Sequence, residues 1–199
     1  MKTNNIYDYV ERLNNLLRAD SRQAIAAHGL QPVQLEVLHY LSTCNHYSDT
    51  PMAVTEYLGQ TKGTVSQTIK VLEKKGLIRK YSDKNDKRIY HLKVSATGKN
   101  LLIKTIPTAM FANACEVLPD KKKLEILDSL KQLLTTVLQI NNIKTFGVCH
   151  TCRYNGKTKD DGYFCNLVQQ PLTVNDVDLI CREHKNQVTP NSVTKNLMK

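Results

Sequence analysis

Four of the six cysteines fall near one end of the chain, spaced Cys149-x2-Cys152-x12-Cys165-x15-Cys181. Such thiols can hold a metal ion: a C-x-x-C knuckle bites the ion from one tight turn, and two later thiolates complete a tetrahedron. The spacing is not that of a double-knuckle zinc ribbon, so it points to a metal site without naming the ion. Zinc on Cys149, Cys152, Cys165 and Cys181 is the first expectation. A Cys3His set using His184 or His150 and an iron-sulfur cluster are alternatives. Thiols that bind nothing, or pair as disulfides, are the plain reading. A filled site has a modest role to play, because a segment of about forty residues rarely folds without a staple. In the sharper reading, metal or redox state tunes the rest of the protein.

A second chemistry lies between Lys62 and Lys93. Ten Lys or Arg stand there against three acids, Glu73, Asp83 and Asp86, a net of +7 within a whole-chain formal charge of +10. A polyanion footprint requires such a run, because each neutralised phosphate releases a condensed counterion. A solvated charged face is the bland alternative. Within the run, QTKGTVSQTIKVLEKKG (60–76) carries Val65, Ile69 and Leu72 as an apolar stripe, with Thr61 placed to cap a helix. Facing that stripe to a core turns Gly63, Ser66, Gln67 and Lys70 outward, with Thr64 at the flank and Lys62 in the first turn. Side chains of these types can hydrogen-bond base edges or phosphates in a major groove, and the helix start offers free N–H groups to a phosphate.

The elements that must position these groups follow from period and punctuation. A 3.6-residue stripe of Ile6, Val10, Leu13, Leu17, Ala24 and Ala27 predicts a helix over 5–27, stopped by Gly29. Pro32 and Thr50-Pro51 open two more helices, the second closed by Leu58-Gly59. Leu77–Tyr81 and Ile89–Val94 read as strands around the polar turn SDKNDKR, a hairpin whose tip carries Lys84, Lys87 and Arg88 toward a minor groove. Ser95 caps a helix that must kink or break near residue 106, ahead of Pro107. Leu124, Leu127, Leu130, Leu134 and Val137 predict a long last helix, which with the first one can pack across a dimer interface.

The fold expected is therefore mostly α with a small β-wing: a winged helix-turn-helix core at about 30–98 inside a helical domain 1–145, a cysteine-rich module at 146–187 and a flexible tail at 188–199. The stretches PVQLEVLHYL and MAVTEYLGQTKGTVSQTIKVLEKKGLIRKYSDKNDKRIYHLKVSATGKNLL resemble the MarR (multiple antibiotic resistance regulator) family over roughly residues 5–143. The most specific piece is the wing pattern D-x-x-D-x-R, here Asp83, Asp86 and Arg88, followed by Ser95 and Gly98. Where relatives commonly carry two adjacent arginines and a threonine, this chain has Lys87 and Ser95. Lys87 keeps the charge without the planar fork, and Arg88 has a second option in pairing with an acid.

The resemblance implies a homodimeric regulator, a repressor, whose two reading helices meet a pseudo-palindromic duplex and whose small-molecule effector enters between the dimer helices and the DNA-binding lobe. The module lies beyond the usual end of that family's fold, and its cysteine spacing is similar to that of high-potential iron-sulfur proteins. A redox or electron-transfer protein is accordingly the competing class. No Ser-His-Asp order, Walker loop or Rossmann fingerprint occurs, so no enzyme is expected. His28, His39, Cys44 and His46 do not share a face and read as packing or solvated groups. A polar N-terminus and the lack of a long apolar run lead to the expectation of a cytoplasmic protein.

Overall fold

A computed structural model describes residues 3–83, 86–158 and 161–187; Lys84 and the expected tail 188–199 lie outside them. Among the described residues the helices are α1 (Thr3–Ala26), α2 (Pro32–Thr43), α3 (Pro51–Leu58), α4 (Lys62–Lys74), α5 (Ala96–Thr105), α6 (Ala109–Glu116) and α7 (Asp120–Ile140). Strands β1 (Ile78–Ser82) and β2 (Tyr90–Val94) form one sheet, and β3 (Asn155–Lys157), β4 (Tyr163–Cys165) and β5 (Gln170–Leu172) form another. Among the described residues no helix is long and apolar enough to cross a membrane.

The chain divides into two compact units, Met1–Thr43 with Asp49–Leu133, and Cys44–Ser48 with Leu134–Lys199. The border thus falls inside α7. In the first unit α2, α3, α4 and α5 surround a core of aliphatic side chains, among them Val37, Leu38, Val54, Val65, Leu72, Ile78 and Leu92. Each such side chain withdrawn from water contributes about 1.5–3 kcal/mol. Thr50 caps α3 by accepting from the Ala53 N–H, and Gly59 ends it in the left-handed region at φ 61°. β1 and β2 run antiparallel with Ile78 opposite Val94 and Tyr81 opposite His91. Ser95 closes the hairpin onto α5: its hydroxyl accepts from the Gly98 N–H at 3.0 Å and donates to the Gly76 carbonyl at 2.7 Å. Gly98 is required by close approach, since a Cβ there would stand 2.4 Å from the Leu77 carbonyl oxygen. The break foreseen ahead of Pro107 is present, with α5 ending at Thr105 and α6 starting at Ala109.

The second unit is built differently. Its sheet has the order β3-β4-β5, all antiparallel, in three-residue strands. Two 3-10 turns, Cys149–Thr151 and Asp176–Asp178, flank it. The segment Cys44–Ser48 joins through two hydrogen bonds: Asn45 N–H donates to the Ile180 carbonyl at 2.9 Å, and Arg182 N–H donates to the Ser48 hydroxyl at 2.8 Å.

Candidate functional site

α4 presents the face that its sequence period requires. Val65, Ile69 and Leu72 are buried, and Lys62, Gly63, Thr64, Ser66, Gln67 and Lys70 are exposed. Thr61 fixes the start of the helix by accepting from the Thr64 N–H at 3.1 Å, while its hydroxyl meets that of Thr64 at 2.9 Å. The unsatisfied N–H groups of the first turn and the Lys62 ammonium share one end of the helix, a ready place for an anion. The fold itself does not demand glycine at 63: a Cβ there would meet only Thr61 Oγ1, at 3.8 Å.

The wing follows directly on α4. Asp83 Oδ1 accepts from the Asp86 N–H at 2.8 Å, and Asp86 accepts from the Arg88 backbone, Nε and Nη2 at 2.9, 3.0 and 2.9 Å. Arg88 therefore takes the second of its two options, holding the turn through a bidentate pair with Asp86. Hydrogen bonding to Arg88 keeps the Asp86 carboxyl below its ordinary range. Lys87, beside it, is exposed. Lys80 lies 3.9 Å above the Tyr90 ring on the exposed strands, a pairing that the register of the hairpin explains and the sequence alone did not single out.

Sequence reasoning also missed a part-buried polar cluster at the root of the wing. His91, on β2, faces carboxylates with both ring nitrogens: Nδ1 meets Asp49, and Nε2 lies 3.2 Å from Asp83 Oδ2. The Tyr81 hydroxyl donates to the other oxygen of Asp49 at 3.0 Å, and the Tyr81 ring stacks on His91 with centroids 5.2 Å apart. Asp49 also accepts from the Leu92 N–H through its carbonyl, at 2.8 Å. The pairing of Tyr81 with His91 could be read from the hairpin register. Asp49 lies 42 residues from His91, with no local pattern to announce it.

In the second unit Cys149, Leu172 and Val177 form a small buried cluster against which Tyr163 and Cys165 pack. All four module cysteines are free thiols. Burial, joined by the charges of Cys181, Cys152 and Cys165, pushes the Cys149 thiol up to about 12. Burial also raises Cys181, against hydrogen bonds from Asn45, Glu183 and Ser48. The donor chemistry suits zinc, yet among the described residues no three His, Cys, Asp or Glu side chains are grouped to hold an ion. His184, the fourth ligand of the Cys3His alternative, is engaged by hydroxyl groups. That ring is buried with Nδ1 2.7 Å from the Thr145 hydroxyl and Nε2 2.9 Å from the Thr151 hydroxyl. Thr145 also donates to the His184 carbonyl at 2.8 Å, and Thr151 donates to the Val148 carbonyl at 2.9 Å. Burial lowers the His184 pKa, which favours the neutral ring. His150 is exposed and lies 3.4 Å from Asp178.

The first unit also contains a cavity of about 360 Å³ whose lining includes Leu17, Arg18, His39, Pro107, Thr108 and Phe111. The Thr108 hydroxyl is buried there without a hydrogen-bond partner.

No curated protein matches this sequence. Solved structures do resemble it. A MarR transcriptional regulator from Methanosarcina mazei Go1 is 21% identical, covers 69% of this chain and 99% of its own, and has a TM-score of 0.60. The S. aureus MepR–DNA complex is 22% identical, covers 65% and 97%, and scores 0.54. CouR from Rhodococcus jostii RHA1, bound to p-coumaroyl-CoA, is 18% identical, covers 64% and 90%, and scores 0.53. Residues 28–89, from the end of α1 to the turn of the hairpin, match the protein-family model described as MarR family; with the structural likeness, this identifies the fold as the winged helix-turn-helix of that family.

Proposed function

We propose that this chain is a sequence-specific DNA-binding transcriptional regulator of the MarR type, a repressor acting as a homodimer. The single observation that carries the reading is the continuous exposed face of α4 followed by the wing, bearing most of the chain's excess positive charge. α4 enters the major groove with Ser66, Gln67 and Lys70 toward base edges and phosphates, and Lys62, Gly63 and Thr64 at the helix start. Lys84, Lys87 and the Arg88-held turn reach the neighbouring minor groove.

A dimer is favoured by the apolar side chains that α1 and α7 leave in solvent, including Tyr9 at 79%, Leu124 at 67% and Leu134 at 59% exposure. Stripes of that length are rare on monomers. Two reading helices then meet half-sites about one helical turn apart on a pseudo-palindromic operator. The cavity beside Arg18 and Thr108 is the place for a small-molecule effector, with the unpartnered hydroxyl ready for a polar group of the ligand. Zinc held by Cys149, Cys152, Cys165 and Cys181 is proposed as the staple of the module, with an iron-sulfur cluster as the alternative. Elemental analysis finding zinc in colourless protein supports the first, and a brown protein absorbing in the visible supports the second.

Salt titration of duplex affinity tests the main reading. The log–log slope is expected at about −0.9 per phosphate contacted; weak, salt-insensitive binding overturns it. Gln67→Ala should erase sequence discrimination, and Lys70→Ala should weaken all sequences alike and reduce the slope by about one contact.

A further inference from the structure

The cluster at the root of the wing has a geometry that only one protonation state satisfies. A neutral imidazole carries one N–H and one lone pair, so a ring with carboxylates at both nitrogens sets its lone pair against negative oxygen. An imidazolium donates to both. Its two acceptors belong to different parts of the reading head: Asp49 stands in the connection ahead of α3, and Asp83 follows β1 at the start of the wing turn.

We propose that His91 is a proton-operated clasp that ties the wing to the connection ahead of α3, so that duplex affinity rises when His91 is protonated and falls when it is not. The proposal rests on the DNA-binding reading above and adds its regulation. Asp83 is the weaker end, since its contact is longer and its side chain is 29% exposed against 11% for Asp49. Loss of the proton therefore frees Asp83 first. Asp83 also holds the Asp86 N–H, and Asp86 holds Arg88, so the release passes to the tip. The charges acting on the ring are those of Asp49 and Asp83; Tyr81 stacks on it from β1. Arg79 and Lys93, the paired cations further along the hairpin, are exposed to solvent. Burial opposes protonation of the ring, but hydrogen bonds and charge from Asp49 and Asp83 outweigh it and hold His91 above its ordinary value of 6.5. The switch therefore lies on the alkaline side of 6.5.

The test uses the full chain and a labelled duplex taken from upstream of its own gene. The His91 ring and the wing amides of 86–90 are followed by NMR across the titration, with duplex affinity measured at each pH. Affinity should fall about fivefold or more as His91 loses its proton, the lower end of ordinary couplings. His91→Gln should flatten that profile. Asp83→Asn, at the more exposed partner, should move both the His91 midpoint and the affinity midpoint to lower pH. Wing amides that ignore the His91 titration, or a His91→Gln profile equal to the native one, overturn the clasp. Amides that track His91 in a protein that binds no duplex at any pH leave the clasp standing and sink the DNA-binding reading instead.

Discussion

The α4–wing region and the cysteine module are both small, but they are held together by different physics. Around α4 and the wing, the buried side chains are large and aliphatic: Val65, Ile69, Leu72, Leu77, Ile78, Leu92 and Val94. In the module the strands are three residues long, and the apolar cluster amounts to Cys149, Leu172 and Val177 with Tyr163 and Cys165 against it. The first region draws its stability from area removed from water. The second has little such area, and its four thiols cannot make up the deficit as anions, because thiolates at close quarters repel. With Cys149 pushed up to about 12, that group is a neutral thiol at physiological pH; the proposed zinc would reverse the sign of the interaction and turn the same four groups into a staple.

If zinc is the staple, stripping it attacks that contrast where it is largest. A structural zinc contributes of order 10 kcal/mol to the folding of a small module. A chelator should therefore abolish hydrogen-exchange protection across 147–187 and leave 32–94 as it was; protection retained in the module would mean that its small core suffices. Leu72→Ala probes the other side. It removes a side chain with no exposed surface from between α4 and its neighbours and should cost about 2–5 kcal/mol, seen as a lower denaturation midpoint of the first unit. A loss below about 1 kcal/mol would show that burial is not what positions α4.

How much of this could be read in the sequence follows the same division. Helices α1 to α7 and the hairpin announce themselves through period, caps and prolines, because each is determined by neighbours a few residues away. Thr61, Ser95 and Pro107 do at their positions what their chemistry dictates. The outward face of α4 was legible for the same reason. The module's strands were not, being too short to show a period of two. Nor were the hydroxyl partners of His184, since Thr145 and Thr151 lie 39 and 33 residues away from it. The triad of Asp49, Asp83 and His91 was invisible because its members come from three separate segments.

The two regions should also answer pH with opposite sign, a smaller effect of one proton each. His91 has a folded pKa above 6.5, so its contribution is complete below that value and is lost as pH rises through the folded pKa. His184 has a folded pKa below 6.5, so its contribution is complete above that value and is lost as pH falls. Exchange protection read separately in each region should weaken on the alkaline side for the wing and on the acid side for the module. Parallel responses would remove the distinction between a charged clasp and a neutral packing group.

The smallest expected change concerns Gly63 and separates folding from binding at a single position. Its backbone is helical and exposed, and a Cβ would touch only Thr61 Oγ1 at a comfortable 3.8 Å. Replacing glycine by alanine in a helix gains about 0.5–1 kcal/mol through the entropy of the unfolded chain, and near a helix start the gain should sit at the lower end. Gly63→Ala should therefore raise the denaturation midpoint slightly. If the first turn of α4 comes against a sugar-phosphate backbone, the same methyl stands in the way, and duplex affinity should fall while stability rises. A variant that is more stable and binds as before would move the contact surface away from the helix start, toward Gln67, Lys70 and the wing.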